Sequence, residues 1–265
     1  MREPTIHGRW ALVTGASSGL GVDFSHELAR RGCNCILVAR REDHLLELAK
    51  QLTQEHGVET DVVPMDLSVP GAPDTLYRKL SEERRQVDIL VNNAGFGVHG
   101  DFLENAWERE REMIDVDVIA LVQLTKLFVP DMVEHGFGRI MQVASTAAYQ
   151  PVPTYAVYGA CKAFVLSFGE ALNYELRGTG VTCTVLSPGV TRTEFQQVAG
   201  HEYTSYMRRS EMKSSDVART GIRAMLRGRS SIVAGLHNAL MVASERLTPR
   251  RVVTMMAGYF MRGGR

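Results

Sequence analysis

WALVTGASSGLGVDFSHELARRG, residues 10–32, is the stretch from which the architecture of this chain can be read. Residues 10–14 are mostly apolar and include β-branched Val13 and Thr14, the composition of a short buried strand. The glycine-rich turn GASSGLG follows without a break. Residues 22–31 then place Val22, Phe24, Leu28 and Ala29 on or near one helical face, with Gly32 as a stop. Moving outward, residues 35–39 (CILVA) read as a second buried strand and residues 41–56 as a charged amphipathic helix. Residues 60–64 read as a third strand. Strand alternating with helix predicts βαβ units and a parallel sheet. The alternation continues as helix 70–85, strand 88–91, one long helix 103–132, strand 139–144, helix 155–177 and strand 181–186. Residues 190–213 are polar and irregular, too long for an ordinary connection, and form a candidate substrate loop or lid. Helix 215–226 and strand 231–234 follow, then an amphipathic helical extension over 236–265. No repeat or linker divides the chain, so one α/β domain over residues 1–265 is expected.

Lysine plus arginine number 30 and aspartate plus glutamate 30, a net charge of zero. No basic surplus or stripe points to nucleic acid. The C-terminal arginines (246, 250, 251, 262 and 265) are too sparse to change that. Cys33, Cys35, Cys161 and Cys183 lack the Cys/His spacing of a zinc site, so no metal is expected. Cys35 and Cys183 lie in strand-like apolar runs and read as buried thiols in a reducing compartment. Neither a signal-peptide core nor an apolar run long enough to span a membrane occurs, and a cytoplasmic location is expected.

The turn between the first strand and first helix is where a dinucleotide pyrophosphate is held. Gly15, Ser17, Ser18, Gly19, Leu20 and Gly21 make it up, with spacing G-x-x-x-G-x-G. The glycines let the backbone approach a ligand, and the helix start offers free N–H groups and a positive dipole end. The end of the second strand discriminates between cofactors. An acid there suits the ribose of NAD, and an arginine suits the extra phosphate of NADP. Here it reads Val38-Ala39-Arg40-Arg41, which favours NADP (NADPH), with Arg40 the better placed.

A second decisive stretch is STAAYQPVPTYAVYGACK, residues 145–162. Tyr158 and Lys162 stand four residues apart on a helix, so both project from one face. A phenol, with pKa about 10, is a poor acid–base group at neutral pH. An ammonium beside it favours the phenolate. Ser145, at the end of the preceding strand, is positioned to hold a carbonyl oxygen next to the phenol.

With TGASSGLG at 14–21, NNAG at 92–95, Ser145, YGACK at 158–162 and Pro188-Gly189 in that order, the chain resembles the short-chain dehydrogenase/reductase family in its NADP-using form. The resemblance runs from about residue 8 to residue 234. It implies a Rossmann-type doubly wound parallel sheet of seven strands in the order 3-2-1-4-5-6-7, with helices on both faces. It implies that Tyr158 donates a proton to a carbonyl oxygen as hydride arrives, that Lys162 tunes Tyr158 and holds the nicotinamide ribose, and that Ser145 orients the carbonyl. Asp66 and Leu67 would sit by the adenine, Asn93, Ala94 and Gly95 on the adenosine side. Pro188, Gly189, Thr191 and Thr193 would cover the nicotinamide amide and phosphates. The implied substrate is a small carbonyl or alcohol, expected to be apolar, and the implied assembly a homodimer or homotetramer. Tyr155 is excluded as the acid because Gly159 stands where the lysine would be needed.

One position departs from the family. Asp117 occupies the place of the usual helix asparagine, which makes it a further catalytic candidate. An ionised Asp117 would stabilise the Lys162 ammonium and raise the Tyr158 pKa. A different class of function, an NADP-binding sensor or scaffold with little turnover, rests on this substitution alone. Phe195, Tyr203, Tyr206 and Met207 fit either an apolar substrate pocket or packing under a loop. The run 236–261 fits a cap on that pocket, a subunit interface or a membrane-surface helix, the first two being favoured.

Overall fold

The computed structural model describes residues 3–202 and 204–261. Strands buried on both faces need continuous apolar runs, and these runs supply the central sheet. The strands are β1 (Trp10–Thr14), β2 (Asn34–Ala39), β3 (Thr60–Pro64), β4 (Ile89–Asn92) and β5 (Gly138–Val143). They continue as β6 (Val181–Ser187), the short pair β7 (Thr191–Arg192) and β8 (Met212–Lys213), and β9 (Ser231–Val233). Among the described residues, seven pair in parallel in the order β3-β2-β1-β4-β5-β6-β9, the expected doubly wound arrangement. Only β7 and β8, which pair with each other, displace the final strand's number.

The helices are α1 (Gly19–Ala29), α2 (Glu42–His56), α3 (Ala72–Glu82) and α4 (Trp107–Ile114), then a π segment (Asp115–Ala120) and α5 (Leu121–Glu134). They continue as α6 (Ala156–Glu175), α7 (Phe195–Ala199), α8 (Ser205–Ser210), α9 (Ser214–Leu226), α10 (Leu236–Glu245) and α11 (Arg250–Met261). Strand alternation sorts the core into two layers. Ala11, Val13, Cys35, Leu37 and Val91 point to α1, α2 and α9, where Phe24, Leu28, Leu45, Leu52 and Ile222 meet them. Leu12, Ile36, Val38 and Leu90 point the other way, to Leu76 and Leu80 of α3 and Leu124 and Phe128 of α5.

Three expectations are corrected. The long helix starts at Trp107 rather than 103, because residues 101–105 turn through Asp101, whose carbonyl accepts from the amides of Glu104 and Asn105. Its middle is a π turn, a wider coil that apolar periodicity does not reveal. Residues 190–213 are not irregular. Thr193 Oγ1 accepts from Phe195 N and Gly200 closes α7 in the left-handed region at φ 71°, while Thr204 caps α8. Helices of five and six residues are too short to carry an apolar period. The C-terminal run is two helices, broken between residues 246 and 249. Pro249, which has no N–H to continue α10, instead offers its carbonyl to the amides of Val252 and Val253 in α11. Residues 262–265 of the expected extension, with Arg262 and Arg265, lie outside the described residues, as does Tyr203; of Tyr206 only the backbone is described.

Candidate active site

Parallel strands all deliver their C-terminal ends to one edge of the sheet, and ligands of such folds bind there, at the point where strand order reverses. Here that point lies between β1 and β4. Asn93 stitches the two ends together: its side-chain amide donates to Thr14 O (2.8 Å), and Thr14 Oγ1 accepts from the amides of Asn93 (3.0 Å) and Ala94 (2.9 Å). Asn92 turns under the sheet to bond Thr125 and Gln142, each at 3.0 Å, so it is structural.

A cleft of about 450 Å³ runs along this edge. Gly15, Ser17, Ser18, Gly19 and Leu20 line it, as do Arg40, Asp66, Leu67, Asn93, Ala94 and Gly95. Ser145, Tyr158, Lys162, Pro188, Gly189, Thr191 and Thr193 line it as well. Two sequence candidates, Gly21 and Asp117, are not on its surface but directly beneath. A Cβ on Gly21 would stand 2.1 Å from the carbonyl oxygen of Gly15, so only glycine lets the turn close. The start of α1 has no side-chain cap, which leaves its N–H groups facing the cleft at Gly19 and Leu20.

Arginines mark the other end of that turn. The Arg40 guanidinium lies 3.2 Å from Glu112 and 3.8 Å from Asp66. Burial would raise the Asp66 pKa, but hydrogen bonds from Ser68 and the Arg40 charge hold it below the usual range. Arg41, the second arginine at the end of β2, also lines the cleft; its guanidinium donates to Ser17 O (3.1 Å) and to Glu194 (3.0 Å), bridging α2 to the segment before α7.

The acid–base group sits at the opposite end. Tyr158 and Lys162 project from one face of α6 as their spacing predicts, the Lys162 Nζ being 5.6 Å from the centre of the Tyr158 ring. Ser145 caps the short turn after β5, its Oγ accepting from Ala147 N at 3.1 Å, and its side chain hydrogen-bonds Tyr158. Lys162 donates to Val143 O at 3.2 Å. Its second partner is Asp117 Oδ2 at 2.9 Å, a buried ion pair in direct contact. Asp117 is carried by the π segment, and its Oδ1 accepts from Phe96 N at 3.1 Å. A Cβ on Gly95 would come within 2.6 Å of that oxygen, so this glycine makes room for the carboxylate.

The electrostatics follow. Burial opposes the Lys162 charge, but Asp117 and the Tyr158 phenol outweigh it and hold the ammonium above its ordinary range. Burial pushes the Tyr158 phenol up; Lys162 and the Ser145 hydrogen bond oppose this, and Asp117 adds to the rise. The site therefore holds a protonated phenol beside a charged lysine.

Beyond Tyr158 the cleft turns apolar. Ala147, Val152, Tyr155, Phe195, Ala199 and Met261 pack around the phenol, and Met207 joins them on the cleft wall. Met261 belongs to α11, so the C-terminal helix does reach the cleft. Sequence reading missed Phe96, Gln196, His99 and His201 here, since residues in loops, or in a helix as short as α7, have no periodicity or spacing to mark them. Among the described residues, the one convergence of three potential metal ligands is His26, Glu55 and His56, none of which lines the cleft. No helix of the described residues is long and apolar enough to cross a membrane.

The chain is similar to known proteins. A short chain dehydrogenase family model matches residues 9–204. Hydroxysteroid dehydrogenase-like protein 1 of Gallus gallus is 35% identical over 191 residues, 71% of this chain and 57% of that protein. The very-long-chain 3-oxoacyl-CoA reductase of Rattus norvegicus is 31% identical over 195 residues, 72% and 62% of the two chains. The chain thus spans 57–62% of the length of these relatives. The solved short-chain dehydrogenase from Sphingobium yanoikuyae in complex with NADPH superposes with a TM-score of 0.81 at 32% identity, covering 90% of this chain and 94% of that one.

Proposed function

The chain belongs to the short-chain dehydrogenase/reductase family, and on that footing we propose that it reduces an apolar ketone or aldehyde to an alcohol with NADPH, or runs the reverse reaction. The observation that carries the proposal is the placing of Ser145, Tyr158 and Lys162 in the same cleft as the glycine turn. The cofactor would be held by the Gly15–Gly21 turn and α1 start at its pyrophosphate, by Arg40 with Arg41 at the 2′-phosphate, and by Asp66 and Leu67 at the adenine. Asn93, Ala94 and Gly95 would support the adenosine side, Tyr158 and Lys162 the nicotinamide ribose, and Pro188, Gly189, Thr191 and Thr193 the amide and phosphates. The glycines fit this cradle, because a Cβ at Gly21 or Gly19 would meet atoms under 3 Å away. When bound, NADPH supplies the hydride that adds to the carbonyl carbon.

Everything else is done by the chain. The Ser145 hydroxyl donates to the carbonyl oxygen and fixes its position. The Tyr158 O–H bond breaks as its proton passes to that oxygen, giving the alcohol and a phenolate. The neighbouring Lys162 ammonium stabilises the phenolate until a proton returns from solvent. Asp117 keeps Lys162 charged and is a positioning residue. A cleft with a charged lysine and an intact donor supports turnover over the binding-only reading that Asp117 suggested. The proposal includes residues 190–213 as substrate loop, residues 236–265 as an extension of the same unit, and a reducing, cytoplasmic setting suited to four free, buried cysteines. A homodimer or homotetramer is part of it, supported by exposed Phe164 and Tyr174 on α6.

Thermal melting with NADP, NAD and neither tests the cofactor assignment. Ligand at about a hundred times its Kd adds roughly 2.7 kcal/mol, which raises Tm by about 5–10 °C in a chain of this size. NADP is expected to do so at lower concentration than NAD, and Arg40→Ala to remove the difference. Equal stabilisation by both would overturn the assignment.

A further inference from the structure

We propose that His201 is a positioning residue that fastens α11 over the substrate end of the cleft, so that the chain of contacts Tyr155–His201–Met261 sets which carbonyl substrates the site accepts. The inference rests on the carbonyl-reductase reading for its substrate readout, though not for its structural one.

Four segments distant in sequence meet at this imidazole. Tyr155, at the start of α6, shares a hydrogen bond between its hydroxyl and His201 Nδ1 at 3.0 Å and packs edge-on against the Tyr158 ring, centroids 5.7 Å apart. The same hydroxyl is 3.5 Å from Gln196 Oε1 of α7. His201 also hydrogen-bonds the backbone of Met261, a bond that favours the protonated ring, as donation to a carbonyl oxygen does. A neutral imidazole has one donor and one acceptor, and these partners use both: N–H to Met261, lone pair to Tyr155. On its flat side His99 stacks with centroids 3.8 Å apart and planes 2° from parallel. His99 is itself anchored, its amide donating to Ala199 O at 3.1 Å. Burial and the stacked His99 push the His201 pKa down to about 4, which keeps the ring in the neutral form that both hydrogen bonds need.

The fastening matters because α11 buries little of its own surface. It buries only Val253 and Ala257 and leaves Met255, Met256 and Tyr259 exposed. Its other approach to the site is Gly258, which lies against Pro153. Met261 forms part of the cleft wall facing Phe195 and Tyr158, so a shift of α11 widens the cavity where substrate bulk would rest. Tyr155 joins this wall to the acid: the residue that receives α11 through His201 also packs on Tyr158.

The test compares wild type with His201→Phe, which keeps the stack on His99 but neither hydrogen bond, and with His201→Gln, which can restore a donor and an acceptor. Hydrogen–deuterium exchange over residues 250–261 reads the fastening directly. KM for a bulky aryl ketone and for butanone reads its consequence, and NADPH affinity serves as the control. His201→Phe is expected to speed exchange in α11 and to raise KM for the aryl ketone about 3- to 10-fold relative to butanone, the size of one or two lost hydrogen bonds. NADPH affinity is expected to stay unchanged, and His201→Gln to recover part of both effects. Tyr155→Phe combined with His201→Phe should add little beyond either alone, because both break one chain of contacts. Unchanged exchange in His201→Phe overturns the proposal whether or not a substrate has been found. Faster exchange with an unchanged KM ratio overturns the claim on specificity. Wild type that reduces neither ketone would count against the proposed function, while the exchange result would still judge the fastening.

Discussion

Asp117 is a fully buried carboxylate in direct contact with the lysine of the site. Its carboxylate touches the Lys162 ammonium at 2.9 Å and contributes to the rise in the Tyr158 pKa. For reduction Tyr158 must be protonated, so the rate falls as pH rises through its pKa. Asp117→Asn removes a negative charge that raises that pKa; the alkaline limb of the reduction profile is therefore expected to move to lower pH, and an unmoved limb would remove Asp117 from the account. The same substitution leaves a buried ammonium without its counter-charge. Losses of a few kcal/mol are typical for such pairs, so Tm should fall by roughly 6–12 °C. Gly21→Ala is a second test at this scale. Its new methyl would stand 2.1 Å from Gly15 O, and strain of about 1–3 kcal/mol in the turn predicts NADPH binding weakened about 5- to 150-fold in a titration. Both roles were only partly legible in the sequence. The glycine spacing and the Tyr158–Lys162 spacing are local patterns and could be read. That Asp117 reaches Lys162 depends on two helices packing, and no single stretch encodes that distance.

At the scale of elements, the seven strands of the main sheet were legible almost to the residue, because central runs such as β1 and β2 are apolar and end where polarity returns. The two-residue strands β7 and β8 are too short to show a pattern. Trp10–Thr14 and Thr60–Pro64 coincide with their expected bounds. The failures have a common cause. The π segment, α7, α8 and the break between α10 and α11 leave no apolar periodicity to read; the first three carry Asp117, Phe195 and Met207, and the break sets the start of α11, which ends on Met261. The scaffold was therefore readable, whereas on the substrate side Phe195, Met207 and the C-terminal run could be named as candidates but not the short elements that place them on the cleft. The α10 helix ends on Glu245, whose two carboxylate oxygens are buried without a hydrogen bond, and burial raises its pKa to about 7. The sign follows: between the unfolded carboxyl's lower pKa and pH 7 the unfolded chain releases this proton first, so stability is lost as pH rises through that window. Glu245→Gln is expected to raise Tm at pH 8 and leave it nearly unchanged at pH 4; a variant less stable than wild type at pH 8 would contradict this.

Taken whole, the molecule places the glycine turn, an arginine pair, the Tyr158 phenol and an apolar wall along one sheet edge, each at the end of a different strand or on the helix after it. Its cysteines stand outside this arrangement of groups. All four are buried, and burial pushes Cys35 and Cys183 up to about 12 and Cys161 to about 11. Native protein at pH 8 should leave a thiol reagent such as Ellman's compound unreacted, with all four thiols appearing only on unfolding. The central claim is that Tyr158 delivers the proton for carbonyl reduction. It is tested most directly by following NADPH oxidation against a panel of ketones and aldehydes with wild type and Tyr158→Phe, folding and NADPH affinity being checked in parallel. The account predicts turnover by wild type and a kcat lower by about 10²- to 10⁴-fold in the variant, with NADPH still bound. A folded wild type that binds NADPH and reduces nothing, or a variant that reduces as fast as wild type, would contradict it.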